Sequence, residues 1–173
     1  MERRDRVRKM MLTAVLIAIS IIIPMQFGFL KIIVGPFTAT IASHVPMFLA
    51  MLISPTVAIF VGVGSALGFF ITTPLVVAAR AAMHIVVGFV GALIINKHKD
   101  FKKAIAFTAP IHGILEGLIV IPFVFSVYEF IVVVAVGTII HHFVDGAISY
   151  ALANALAKAR RKNIYELFTS EAM

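Results

Sequence analysis

The sequence predicts an all-α membrane protein built as a bundle of six transmembrane helices. Of its 173 residues, 61% are hydrophobic and 13% are charged, about half the charged share of a typical soluble domain. Residues 10–27 and residues 37–79 contain no Lys, Arg, Asp or Glu, and the second stretch is long enough for two crossings of about 20 residues each. Neither stretch alternates polar and apolar residues, so a helical bundle is favoured over a β-barrel.

Prolines and polar segments divide the chain into its expected spans. The turn at Pro36 precedes the second span, and Pro55 and Pro74 end the second and third, because proline disfavours helix in the residue before it. Pro110 and Pro122 are expected to kink the fifth span or trim its ends. The chain is read as a single membrane domain, residues 1–173, with spans at residues 10–27, 37–53, 56–71, 75–95, 104–125 and 129–157.

The basic residues predict the orientation of the bundle. Thirteen of the fifteen Lys and Arg lie at the N-terminus, between spans four and five, or after span six. Six spans place all three clusters on one side, whereas five or seven would put one cluster outside. Because positive residues favour the cytoplasmic side, both termini are predicted to be cytoplasmic. The basic charge is explained by topology, and no nucleic-acid partner is expected.

Several functions are excluded by features that the sequence lacks. There is no cysteine, hence no disulfide framework and no thiolate metal site. There is no phosphate-binding loop of the type Gly-x-x-x-x-Gly-Lys-Ser/Thr, hence no ATPase activity of its own. No nucleophile and base are recognisable, so we expect neither an enzyme nor a cofactor. The first span is not read as a cleaved signal peptide, because five more spans follow it.

Ionisable residues inside the expected spans form the candidate binding site. Three spans each carry a pair spaced four residues apart, such as Arg80 and His84, which places both side chains on one helix face. The set lies between the outer third and the midplane, with Arg80 and His84 roughly 8–14 Å below the outer end of their span. An outward-opening pocket is therefore expected. The candidate substrate-binding residues are His44, Arg80, His84, His112, Glu116, His141, His142 and Asp145.

Other interpretations of these residues stay open at the sequence level. Arg80 could neutralise Glu116 or Asp145 as a structural pair, or the histidines could relay protons. Histidine and carboxylate at this spacing also suit Zn, Ni or Co, although a fixed cation at Arg80 opposes a metal and favours an anionic ligand. A self-sufficient channel or carrier is the competing class. It would need a continuous path across the membrane, yet the inner third of the expected spans carries no charged residue.

Small residues spaced four apart indicate close helix contacts. Ala14 and Ala18 form such a pair on span one, and Gly64 and Gly68 form another on span three. Faces of this kind allow helices to approach closely in membranes. Span one carries no ionisable group, so Ala14 and Ala18 are predicted to dock a partner protein. Gly64 and Gly68 suit ordinary packing within the bundle equally well.

Taken in order along nearly the whole chain, these features resemble the S components of energy-coupling factor (ECF) transporters. The resemblance rests on the size, the six spans, Ala14 with Ala18, the block from His44 to Pro55, the glycines of residues 62–68, and the Arg80–His84 segment. It implies a substrate-capture subunit in a prokaryotic plasma membrane. Ala14 and Ala18 would then face a transmembrane coupling protein, the T component, which holds two cytoplasmic ATPase subunits.

The resemblance also implies where the ligand binds and what it is. In the family, outer loops hold a vitamin, here residues 28–36, 72–74 and 126–129, and ATP hydrolysis is thought to reorient the whole S component. Arg80 beside histidines favours a small carboxylate such as niacin or pantothenate, and the absence of Trp weakens folate and riboflavin. The alternatives are pyridoxine or hydroxymethylpyrimidine, bound through Glu116 and Asp145, and a transition metal. Metal-specific members of the family carry a histidine near the N-terminus, whereas this chain begins with Met-Glu-Arg-Arg.

Overall fold

The computed structural model describes residues 2–35, 37–123 and 126–168. Pro36, at the predicted first turn, and residues 124–125, at the predicted end of span five, lie outside the described residues, as do residues 1 and 169–173. The elements run, in chain order, α1 Glu2–Gln26, β1 Lys31–Val34, β2 Phe37–Thr40, α2 Val45–Met51, α3 Pro55–Thr72, α4 Leu75–Ala82, α5 His84–His98, α6 Phe101–Val120, a π-helical segment Glu129–Val136, α7 Gly137–Ala159 and α8 Ile164–Phe168.

The all-α membrane class is confirmed. Five helical stretches are long and apolar enough to cross a bilayer, and the strands form one two-stranded antiparallel hairpin. The five are Arg3–Gln26, Pro55–Thr72, Leu75–His98, Phe101–Phe123 and Val132–Ala159. Many large apolar side chains on these helices are exposed, as expected of surfaces that face lipid tails.

The second predicted span differs from a continuous helix. Residues 37–53 form strand β2, a turn and the seven-residue helix α2. The turn is stabilised by a side chain from elsewhere, because the amides of Ala42 and His44 donate to Asp145 on α7. A buried carboxylate that satisfies these amides removes the need for a local helix. Span prediction by hydropathy has no means of detecting such a distant acceptor.

The other boundaries differ from the predicted ones by smaller amounts. Helix α1 begins at Glu2, eight residues before the predicted span, so the basic N-terminal run is helical. The predicted fourth span is two helices, α4 and α5, which meet at Met83. Helix α6 contains Pro110 and ends at Val120. The chain continues as a 3-10 turn, Ile121–Phe123, which contains Pro122, so the α-helix ends where a proline is expected to stop it.

Helices α1 and α3 pack closely and run in the same direction. A Cβ added at Gly64 would lie 2.9 Å from Ile17 Cγ2, and one at Gly68 would lie 2.7 Å from Ile21 Cα. Gly64 and Gly68 therefore contact α1 inside the bundle, which is the ordinary packing that their spacing also suited. Because residue numbers rise together along both helices, the chain between α1 and α3 must return along the bundle.

The three basic segments lie at one end of the molecule. Near the N-terminus, the guanidinium of Arg8 donates to the carbonyl of Leu167 in α8. At the connection between α5 and α6, the amide of Phe101 donates to Tyr165 Oη over 3.0 Å. Helix α8 therefore contacts both the N-terminal segment and the α5–α6 connection. Both ends of the described chain are on the same side of the bundle.

Candidate functional site

All eight predicted site residues are buried and lie in one cluster. They come from four parts of the fold: the turn before α2, the α4–α5 pair, α6 and α7. The sequence places three pairs on single helix faces, and the structure turns these faces towards each other. The turn before α2 brings His44 into the middle, where its ring centroid is 4.3–4.8 Å from three other histidine rings, those of His84, His112 and His141.

Arg80 and Glu116 form a buried ion pair between α4 and α6. Arg80 is 4% exposed, and its Nε and Nη2 donate to Glu116 Oε2 over 2.9 and 2.6 Å. Thr138 Oγ1 donates to the same oxygen over 2.6 Å. Arg80 Nη1 makes a longer bond of 3.3 Å to Thr38 Oγ1. The pair therefore connects α4, α6 and α7 with strand β2.

Two histidines lie beside the second oxygen of Glu116. His112 Nε2 is 3.2 Å and His84 Nε2 is 4.0 Å from Glu116 Oε1. The opposite nitrogen of His84 lies 2.9 Å from Ser65 Oγ on α3. The opposite nitrogen of His112 lies 3.0 Å from His142 Nδ1. Both rings are thus held so that Nε2 faces Glu116.

Asp145 organises the turn before α2. Its Oδ1 accepts from the Ala42 amide over 2.8 Å and its Oδ2 accepts from the His44 amide over 3.0 Å. His141 Nε2 lies 3.1 Å from Oδ2 and 3.2 Å from the carbonyl oxygen of Thr40. Asp145 therefore positions the segment that carries His44.

A small cavity lies between β2 and α4, beside these groups. Its free volume is about 20 Å³, room for about one water molecule. His44, Arg80, His84, Glu116 and His141 line it, while His112, His142 and Asp145 lie behind them. Any ligand larger than a water molecule would need the residues around this cavity to move apart.

Several hydroxyl groups contact the cluster but are not among the residues that the sequence predicts. Thr138 bonds Glu116, Thr108 Oγ1 lies 3.2 Å from His142 Nε2, and Ser65 lies against His84. Thr138 could have been found, since it precedes His142 by four residues and shares its helix face. Ser65 and Thr108 are contacts between helices, for which the sequence offers no comparable spacing.

The predicted docking residues lie on an outward-facing surface. Ala14 and Ala18 are exposed on α1, whereas Leu16 and Ser20 of the same helix are buried. Met11 and Val15 are exposed beside them. The face of α1 that turns away from α3 is therefore apolar and carries small residues at its centre.

The fold and the cluster define a multi-pass membrane protein with ionisable groups buried between its helices, a combination typical of transport proteins. No protein-family model matches the chain, and no solved structure matches it. The chain is 34% identical over 181 aligned residues to the niacin transporter NiaX of Lactococcus lactis subsp. cremoris (strain MG1363), a match that covers 95% of the chain and 81% of NiaX. The chain thus belongs to the ECF S components, multi-pass proteins of the prokaryotic plasma membrane that take part in vitamin uptake.

Proposed function

We propose that this chain is the substrate-capture subunit of an ECF importer and that its substrate is niacin, a pyridine carboxylate. The observation that carries the proposal is a buried guanidinium, that of Arg80, at the wall of the cavity. The similarity to a niacin transporter supports the same substrate. Of the two small carboxylates that the sequence favours, niacin thus has the stronger support.

The bonds of Arg80 leave donors for a ligand. Glu116 occupies the edge of the guanidinium formed by Nε and Nη2. Among the described residues, the edge formed by Nη1 and Nη2 has two longer bonds, 3.3 Å to Thr38 Oγ1 and 3.5 Å to Thr138 Oγ1. Arginine pairs with carboxylates through two parallel N–H bonds. We expect the vitamin carboxylate to take the place of Thr38 at this side of Arg80.

The other seven residues would act at two levels. His44, His84, Glu116 and His141 line the cavity, where they would contact the pyridine ring. His112, His142 and Asp145 would support them from behind, through the contacts His112–His142 and Asp145–His44. All eight residues therefore belong to the proposed site, some by contact with the ligand and some by positioning a neighbour.

We propose six crossings, with both termini cytoplasmic and the hairpin outside. The second crossing would consist of β2, the turn and α2, which together connect the parallel helices α1 and α3. An even number of crossings agrees with the contact between Arg8 and Leu167, which joins the two ends of the described chain. The basic segments at that end support a cytoplasmic placement.

The energy for uptake would come from partner subunits. We propose that Ala14 and Ala18, exposed on α1, dock the T component, which in turn binds two cytoplasmic ATPase subunits. Small residues on an exposed apolar face suit close helix contact inside a membrane. ATP hydrolysis by these subunits would then drive delivery of the vitamin to the cytoplasm.

Equilibrium binding to the detergent-purified chain tests the substrate. Nicotinate should bind with high affinity, and nicotinamide, which has the same ring without the carboxylate, should bind at least about tenfold more weakly, since a lost charge-assisted hydrogen bond is worth about 1.5–3 kcal/mol. Pantothenate serves as the competing carboxylate. Equal affinity for nicotinate and nicotinamide would contradict the role of Arg80, and tighter binding of pantothenate would replace niacin as the substrate.

A further inference from the structure

Three histidines and a carboxylate surround one small volume beside the cavity. His44, His84, His112 and Glu116 each present one ligand atom, and these atoms all lie within 4.8 Å of one another. The three imidazole centroids are 4.7, 4.8 and 5.2 Å apart. All four side chains are buried. An apolar core would hold the bundle together without the cost of burying polar groups. The convergence of four buried donors therefore points to a function.

Other side chains hold two of the rings from the far side. Ser65 Oγ lies 2.9 Å from His84 Nδ1, and His142 Nδ1 lies 3.0 Å from His112 Nδ1. In each case Nε2 is the nitrogen that faces the common volume. Histidines that bind metals are oriented in this way, by a second hydrogen bond from the ring nitrogen that does not bind the ion.

Glu116 follows the same pattern. Arg80 and Thr138 both donate to Oε2, so Oε1 is the oxygen turned towards the histidines. The positive charge of Arg80 is therefore separated from the common volume by the carboxylate with which it pairs. This arrangement answers the objection that a cation at Arg80 opposes a metal ion.

Two ring nitrogens of the cluster lack hydrogen bonds. Within the described chain, His44 Nδ1 and His112 Nε2 are buried without a hydrogen-bond partner. His112 Nε2 is 3.2 Å from Glu116 Oε1, and His44 Nδ1 is 3.1 Å from Asp145 Oδ2, so each of these nitrogens lies beside a carboxylate oxygen. A buried polar atom without a hydrogen bond is unfavourable by about 1–3 kcal/mol, and His112 Nε2 is one of the nitrogens that faces the common volume.

We propose that His44, His84, His112 and Glu116 bind a transition-metal ion of the Zn²⁺ class. Three imidazoles and one carboxylate suit Zn, Co or Ni, whereas Mg²⁺ and Ca²⁺ prefer sites made of oxygen. Such an ion would use the nitrogen of His112 that has no hydrogen-bond partner. It would also explain why three histidine rings are packed around one carboxylate.

The charge of the cluster gives the metal a role in vitamin capture, and in this respect the inference rests on the proposed function. Arg80 contributes +1 and Glu116 and Asp145 contribute −1 each, so with neutral histidines the cluster carries −1. An anionic vitamin would raise the buried charge to −2, which is strongly unfavourable in a medium of low dielectric constant. A divalent ion together with the anion brings the total to zero.

Metal analysis of the purified chain tests the site without any vitamin. The protein is prepared without a histidine tag, stripped with a chelator, equilibrated with Zn²⁺ and dialysed, and its zinc content is then measured. We expect about one zinc ion per chain in the wild type and in His98→Ala, and none in His84→Ala or His112→Ala. His98 is the matched control, since it is an exposed histidine at the end of α5.

X-ray absorption at the zinc edge of the wild type does not depend on whether the variants fold. Three histidine nitrogens and one oxygen at about 2.0–2.2 Å would support the assignment. Absence of stoichiometric zinc from the wild type, or equal zinc in His98→Ala and His84→Ala, would overturn it. A shell of six oxygens would also overturn it.

Nicotinate binding with and without metal separates this inference from the proposed function. We expect the stripped protein to bind nicotinate at least about tenfold more weakly than the zinc-loaded protein at the same pH, a difference of about 1.4 kcal/mol. Equally tight binding by both forms would refute the role of the metal and leave the niacin proposal standing. Stoichiometric zinc without nicotinate binding would refute niacin as the substrate and leave the metal site standing.

Discussion

At the scale of single residues, a few side chains fix the geometry of the site by satisfying groups that are distant in sequence. Asp145 accepts two backbone amides that lie more than 100 positions earlier in the chain. Arg80 and Thr138 both bond the same oxygen of Glu116. These contacts join the turn before α2 to α7, and α4 to α6. Loss of a single acceptor therefore affects more than one element.

Asp145→Asn should destabilise the protein. Asparagine keeps one oxygen acceptor but presents an NH₂ group to an amide that now donates to a carboxylate oxygen, so at least one charge-assisted hydrogen bond, worth about 1.5–3 kcal/mol, is lost. We expect a lower thermal midpoint in detergent, measured by loss of the monodisperse chromatographic peak. Ser149→Ala is the control, because among the described residues Ser149 Oγ donates only to a carbonyl oxygen of its own helix. Equal midpoints for the two variants would contradict the role of Asp145.

The residues of the site were more predictable than their contacts. That these eight residues would lie together inside the fold followed from the cost of burying ionisable groups in a membrane and from their helical spacing, while their role in ligand binding stays a prediction. That Arg80 pairs with Glu116 rather than with Asp145 could not be chosen from spacing, since both are acidic groups on neighbouring helices. The choice depends on how α4, α6 and α7 are arranged.

At the scale of elements, close approach of α3 and α5 positions His84. A Cβ added at Gly62 would lie 2.8 Å from the Cα and N of Ile85, so the backbones are nearly in contact. This approach brings Ser65 of α3 within 2.9 Å of His84. The glycine at residue 62 therefore matters to the site although it carries no side chain.

Gly62→Ala should weaken ligand binding by at least about tenfold, or about 1.4 kcal/mol. The added methyl group would meet backbone atoms of α5, which cannot change rotamer as a side chain can. Helix α5 must therefore move away from α3, and His84 moves with α5. Gly91→Ala on α5 is the matched control: its Cβ would meet only the side chain of Met51, which can change rotamer. Nicotinate titration measures both variants. A larger loss for Gly91→Ala than for Gly62→Ala would contradict this account.

Ala14→Trp separates ligand binding from transport. The indole would project from the exposed face of α1 and block the proposed contact with the T component, so ATP-dependent uptake should be lost while nicotinate affinity stays within about twofold of the wild type. Uptake is measured in cells that express the full transporter, and affinity on the purified chain. Leu93→Trp, at an exposed position on a different helix, α5, serves as the control. If binding were lost in Ala14→Trp, α1 would belong to the ligand site instead.

Helix prediction succeeded where hydropathy alone decides the structure and failed where distant contacts do. The long apolar stretches of α1, α3 and α6 were recognised because a bilayer leaves their backbones no other partner. Residues 37–44 were predicted as helix, yet their backbone finds acceptors and donors in β1 and in Asp145. The break at Met83 between α4 and α5 likewise has no glycine or proline to announce it.

At the scale of the whole molecule, the described chain has one basic end and one end formed by the hairpin and the loops. In the orientation that we propose, α6 crosses the membrane between two exposed positions, so Lys99 lies on the cytoplasmic side and Val127 on the outer side. Because the chain has no cysteine, Lys99→Cys and Val127→Cys each introduce a single thiol. A membrane-impermeant maleimide added to intact cells should label the second and not the first. Labelling of Lys99→Cys in intact cells would exclude the proposed orientation.

The central claim is that Arg80 holds a small vitamin carboxylate, and ligand identification by mass spectrometry tests it most directly. The chain is purified in detergent from cells grown with niacin and pantothenate, and the bound small molecules are released and identified. We predict that niacin accompanies the wild type and is absent from Arg80→Ala prepared in parallel. Niacin in equal amounts in both samples, or a different vitamin in the wild type, would contradict the claim.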